Sequence, residues 1–62
     1  MNQACPTDEV IEDIGLLIAK DSKGGLETAL NKYSGDIVRH TLIHSPCVDK
    51  YERAKRRFRE QG

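Results

Sequence analysis

The amino-acid sequence predicts an all-α fold, a small bundle of three to four short helices. Apolar residues recur at helical spacing in successive segments, and short runs containing Gly, Ser or Pro separate these segments. A single run, residues 36–44, has a strand-like composition, but a lone strand would leave its backbone groups without partners. A chain of 62 residues accommodates one domain. We therefore expect a single helical domain at residues 7–62, following a flexible tail at residues 1–6.

The first helix is predicted from Thr7 or Asp8, either of which can cap it, to about Asp21. Acidic residues crowd its first turns, where the helix dipole favours negative charge. Gly15 inside a helix costs about 1 kcal/mol relative to Ala, which indicates a neighbouring helix passing close by. Leu16 points partly away from the main apolar face. That face is formed by Val10, Ile11, Ile14, Leu17 and Ile18.

The two middle elements are shorter. A turn is predicted at residues 21–25, and the helix after it carries the apolar repeat Leu26, Ala29, Leu30 and Tyr33. Gly35 is expected to end that helix in the left-handed conformation. Residues 36–44 contain β-branched side chains that suit a strand. They also form one helical face, and Asp36 is a good helix cap, so we predict a helix here too.

The last segment, residues 45–60, is the most clearly helical. Ser45 can cap the helix, and Pro46 at its first position has the right φ angle and lacks a donor that would have no partner. The apolar face that follows consists of Cys47, Tyr51, Ala54 and Phe58. No Gly or Pro interrupts this pattern before Gly62.

This helix also carries most of the positive charge, with six cations and two anions between positions 50 and 60. Such a surface can neutralise nucleic-acid phosphates. Opposite charges spaced four residues apart within the helix indicate the alternative, an ordinary solvated face. We expect the nucleic-acid-binding residues, if phosphate is the target, to be Lys50, Arg53, Arg56 and Arg57.

Composition narrows the function class. The formal net charge is zero, but acids dominate the first half of the chain and bases the second. The first apolar run begins at Val10, after acidic residues, which does not resemble a secretory signal. The longest apolar stretch, residues 16–19, is too short to span a bilayer. We therefore expect a small cytoplasmic, non-enzymatic regulatory module with no membrane partner.

Two classes of partner fit that expectation. The first is nucleic acid or a nucleoprotein, bound by the basic helix. The alternative is a larger protein, for which this chain would act as an adaptor or inhibitor. It would use the acidic first helix or an exposed part of Leu16, Leu17 and Ile18. The thin core and the polarised charge also make a homodimer a reasonable expectation.

The cysteines and histidines give weaker signals. Without a secretory signal, we expect Cys5 and Cys47 to be reduced thiols. His40, His44 and Cys47 have the spacing H-x3-H-x2-C, and imidazole and thiolate groups are typical zinc ligands. Without a good fourth ligand, however, we expect no metal and no cofactor. Cys47 beside His44 also lacks a third orienting group, so we expect no catalytic residues.

Overall fold

The computed structural model describes residues 5–61, and within this part the chain folds into four helices. They are α1 (Asp8–Lys20), α2 (Ser22–Lys32), α3 (Gly35–Ile43) and α4 (Ser45–Gln61). The all-α prediction is confirmed, including the helix over the strand-like run. Within the described residues, none of these helices has the length and hydropathy needed to cross a membrane.

Thr7, rather than Asp8, caps α1. Its backbone is extended, and its side-chain oxygen accepts a hydrogen bond from the Val10 N–H at 3.4 Å. Asp8 and Glu9 then occupy the first turn and Lys20 the last, so charges at both ends complement the helix dipole. Asp21, again extended, ends the helix and leads directly into α2.

The turn predicted over residues 21–25 is wrong, because α2 already begins at Ser22 and only Asp21 separates the two helices. The Gly25 N–H donates to the Asp21 carbonyl at 2.6 Å. Gly25 is buried against the end of α1, where a Cβ atom would collide with the Leu17 carbonyl. The glycines therefore allow a tight corner between two helices instead of forming a loop.

The predicted left-handed cap at Gly35 is also wrong. Gly35 has no positive φ and is the first residue of α3, whereas the extended Tyr33 ends α2. Ser34 caps α3 in place of the predicted Asp36, and its Oγ accepts from the Ile37 N–H at 3.3 Å. Within α3, the buried Thr41 hydroxyl donates to the Ile37 carbonyl at 2.9 Å, so its polar group has a partner.

The core is as thin as the composition predicted. α1 lies centrally and packs on both α2 and α4, while α3 packs mainly on α4. The helices α1 and α4 approach each other closely at Gly15. A Cβ atom there would lie 3.2 Å from Ala54 Cβ and 3.3 Å from the Tyr51 carbonyl oxygen, which confirms the predicted close approach. The buried hydrophobic residues are Ile11, Ile14, Ala29, Val38, Cys47 and Tyr51.

The apolar repeat of α2 is buried only in part. Ala29 is fully buried, but Leu26 and Leu30 are 37% and 45% exposed. Gly25 and Ala29, the small residues of α2, bring its backbone close to α1. The two leucines consequently lie at the sides of this contact and not within it.

The prediction of reduced thiols is wrong, because Cys5 and Cys47 form a disulfide, with their Cα atoms 5.5 Å apart. Cys5 is half-buried and packs on the core, and Cys47 is completely buried within it. The bond connects positions far apart in sequence because α1 and α4 start side by side. The remainder of the predicted tail, residues 1–4, lies outside the described part of the chain.

Candidate functional site

The predicted phosphate-binding residues do not all share one surface. Lys50, Arg53 and Arg57, here called the cation row, line the border of α4 that faces α1. Arg56 is exposed elsewhere on the helix and lines neither of the hollows at this border. The structure thus brings together three of the four predicted residues.

Acidic side chains of α1 face the cation row. Lys50 Nζ lies 3.0 Å from Asp8 Oδ1, and Arg57 Nη1 lies 4.0 Å from Glu12 Oε2. These pairs are exposed, and each contributes only about 0–1 kcal/mol to stability. They nevertheless place negative charge beside the cations, which weakens the attraction of this surface for phosphate.

A groove opens between α1 and α4 next to these ion pairs. This α1–α4 groove has a volume of about 310 Å³. A smaller hollow of about 180 Å³ adjoins it on the side of the cation row and shares Glu12, Ala54 and Arg57 with it. The groove is lined by Glu9, Glu12, Asp13, Leu16, Ala54, Arg57 and Phe58.

The groove combines an apolar floor with an acidic rim. Leu16 is 38% exposed and Phe58 is half-buried, and the small side chain of Ala54 lies next to Gly15 of α1. The rim carries three carboxylates and one guanidinium. Leu17 and Ile18, which we grouped with Leu16, are half-buried and pack against the core. Leu16 is therefore the residue of the three that offers the most apolar surface to a partner.

Asp13 supplies a fixed negative charge to this rim. Its Oδ2 accepts hydrogen bonds from Lys32 Nζ at 2.6 Å and from the Tyr33 hydroxyl at 2.5 Å. The hydrogen bond from Lys32 lowers the pKa of Asp13 the most, and the hydrogen bond from Tyr33 lowers it further. Partial burial of the carboxylate opposes both effects. The same carboxylate raises the pKa of both donors. Asp13 thus remains ionised and joins the end of α2 to α1.

The other predicted cluster does not assemble into a metal site. The rings of His40 and His44 stack with centroids 4.0 Å apart, and Cys47 has no free thiol because it is in the disulfide. Among the described residues, no group of three or more His, Cys, Asp or Glu side chains is placed to hold a metal ion.

Sequence reasoning missed the groove, although a partial signal was present. Asp8 and Glu12 are one turn apart on α1, and Lys50 and Arg57 are two turns apart on α4. Rows of opposite charge on two helices are what a shared border would require.

Comparisons with protein-family models, curated proteins and solved structures find no match.

Proposed function

We propose that this protein is a non-enzymatic module that binds another protein through the α1–α4 groove. The observation that supports this proposal is the position of Leu16, exposed on an apolar floor beside the carboxylates of Glu9 and Glu12. The groove lining has three carboxylates and one guanidinium, so the groove favours a cationic partner over a phosphate backbone.

The partner that fits this chemistry is a basic amphipathic helix. One or two of its large apolar side chains would fill the floor, and Lys or Arg on the next turn would face the acidic rim. A groove of about 310 Å³ is at the small end of the range for binding pockets. We therefore expect a transient interaction rather than a permanent complex.

The experiment is a titration of isotope-labelled protein with two synthetic helical peptides, followed by amide chemical shifts. One peptide carries Leu on one face and Lys on the other, and the second replaces each Lys by Glu. We expect the basic peptide to bind and to shift the amides around Leu16, Ala54 and Phe58. The acidic peptide should bind at least about tenfold more weakly, because it meets like charges on the rim.

The chain offers a matched control for this experiment. Leu26 is 37% exposed, almost the same as Leu16 at 38%, but it lies on α2 outside the groove. Leu16→Ser should weaken binding of the basic peptide, whereas Leu26→Ser should leave it unchanged. Equal effects of the two substitutions, or no binding of either peptide by the unsubstituted protein, would contradict the proposal.

Nucleic acid remains a second candidate partner because of Arg53 and Arg56. Both are exposed, and neither belongs to a salt bridge within the described residues. Binding phosphate with the whole predicted set would also require Lys50 and Arg57 to leave their carboxylates. This requirement makes nucleic acid the weaker candidate.

A further inference from the structure

The disulfide lies at one end of the border between α1 and α4. Cys5 comes just before Thr7, the cap of α1, and Cys47 lies in the first turn of α4. The bond therefore ties the starts of these two helices together. The Lys50 ammonium also donates a hydrogen bond to Asp8 across this border, and the disulfide adds a covalent link beside it.

Ion pairs continue this border beyond the disulfide. Asp8 and Lys50 each lie three residues after a bonded cysteine and pair at 3.0 Å. Glu12 and Arg57 pair further along, at 4.0 Å, and Arg57 lines the groove. The disulfide, the two ion pairs and the groove thus follow one another along the same pair of helices.

We propose that the Cys5–Cys47 disulfide is a redox switch that controls the packing of α1 on α4, and through it the shape of the groove. The control of the shape of the groove rests on the function proposed for the groove above. Disulfides are rare and transient in the cytosol but persist in oxidising compartments. The reductant that we propose is a low-molecular-weight thiol, which reduces the bond by thiol–disulfide exchange.

The exposures of the two cysteines indicate how the switch operates. A reductant thiolate attacks Cys5 Sγ, because Cys5 is half-buried whereas Cys47 is completely buried. The S–S bond breaks, and Cys47 leaves as a thiolate that takes up a proton. A second reductant thiol then attacks the mixed disulfide and releases Cys5, so that one disulfide forms as the other is reduced. Two electrons and two protons pass to the protein.

The two cysteines differ in what they do after reduction. Cys47 remains a small apolar side chain in the core, where a free thiol packs well. Cys5 loses its covalent anchor, and the residues before Val10 and Ile11 are then held to α4 by an exposed ion pair that contributes little. With so few buried residues, the domain depends on this constraint for much of its stability. Reduction should consequently loosen the start of α1, where the bond is attached, more than the end of that helix.

The test compares the oxidised protein with the same protein in dithiothreitol, by thermal unfolding and by amide hydrogen exchange. We expect reduction to lower Tm by about 10 °C or more. Amides in the first half of α1 should exchange at least about tenfold faster. The Cys5→Ser variant, which keeps the buried Cys47, should match the reduced protein and should not respond to dithiothreitol. Equal Tm and exchange in both forms, or two free thiols after air oxidation, would overturn the switch.

Peptide titration of both forms, below both values of Tm, separates this inference from the proposed function. If the basic peptide binds the oxidised form at least about tenfold more tightly, the control of the groove is supported. Equal binding to both forms would overturn that control. If neither form binds while Tm and exchange respond to reduction, the proposed function fails and the switch in helix packing stands.

Discussion

Gly15 of α1 lies so close to Ala54 of α4 that a Cβ atom on the glycine would be 3.2 Å from the alanine Cβ. The Tyr51 carbonyl oxygen would lie almost as near, at 3.3 Å. Neither neighbour is the end of a flexible side chain, so both would resist displacement. The absence of a side chain at Gly15 thus allows the two helices that form the groove to lie close together.

The first prediction is that Gly15→Ala destabilises the protein although it improves helix propensity. Alanine gains about 1 kcal/mol in a helix interior. Forcing a methyl group into a packed contact costs about 1–3 kcal/mol. We therefore expect a net loss of about 1 kcal/mol in the free energy of unfolding, measured by urea denaturation.

Gly35→Ala is the matched control, because no atom lies within 4 Å of the added Cβ and Gly35 has no positive φ. That substitution should stabilise the protein by about 0.4–1 kcal/mol, mainly by reducing the entropy of the unfolded chain. If Gly15→Ala stabilised the protein by a similar amount, α1 and α4 would not be in close contact.

The second prediction concerns acid stability and Asp13. The pKa of Asp13 is lowered in the folded protein from its ordinary value of 3.8. The stability that the ionised Asp13 carboxylate contributes to the fold is therefore fully present above pH 3.8. It is lost as the pH falls through the lower, folded-state pKa. We expect the free energy of unfolding of the unsubstituted protein to fall in this acidic range. The free energy of unfolding of the Asp13→Asn variant should fall less steeply there.

At neutral pH, Asp13→Asn should cost about 1 kcal/mol, because charge-assisted hydrogen bonds from Lys32 and Tyr33 become neutral ones. Asp36→Asn is the control, since Asp36 is an exposed carboxylate on α3. Urea denaturation across a pH series would measure the free energy of unfolding of the two variants and of the unsubstituted protein. Parallel pH curves for the Asp13 variant and the unsubstituted protein would show that the carboxylate is not held as the structure indicates.

The third prediction concerns nucleic acid and the cation row. If phosphates bind here, affinity should fall steeply as the salt concentration rises. Replacing Arg53 and Arg57 together by Gln should then weaken binding and reduce the salt slope by about two, at about one for each lost contact. Fluorescence anisotropy with duplex and single-stranded oligonucleotides is the measurement.

Stability provides the control, because both arginines are exposed and the double variant should unfold within about 1 kcal/mol of the unsubstituted protein. The carboxylates of Asp8 and Glu12 lead us to expect weak binding even at low salt. Binding that is tight at moderate salt, and that the double substitution reduces, would favour nucleic acid over a protein partner.

Most of the helical structure was predictable from residues close together in the chain. The apolar face of α4 and the interior Gly15 were both interpreted correctly, since helix formation and amphipathic spacing depend on neighbours within about four residues. The helix over residues 36–44 also followed, from the rule that a lone strand lacks partners. Errors occurred at the element ends, where Ser22 and Gly35 entered helices in place of turns.

Contacts between distant residues could not be predicted in the same way. Whether Cys5 meets Cys47 depends on α1 and α4 starting side by side, and no local pattern encodes that position. The same packing placed acids beside the cation row and left Leu16 exposed in a groove. The amphipathic spacing and capping residues of a helix lie close together in the chain, so the sequence alone was enough to locate most of the helices. The disulfide, the ion pairs and the groove depend on how the helices pack, and only the tertiary structure could decide them.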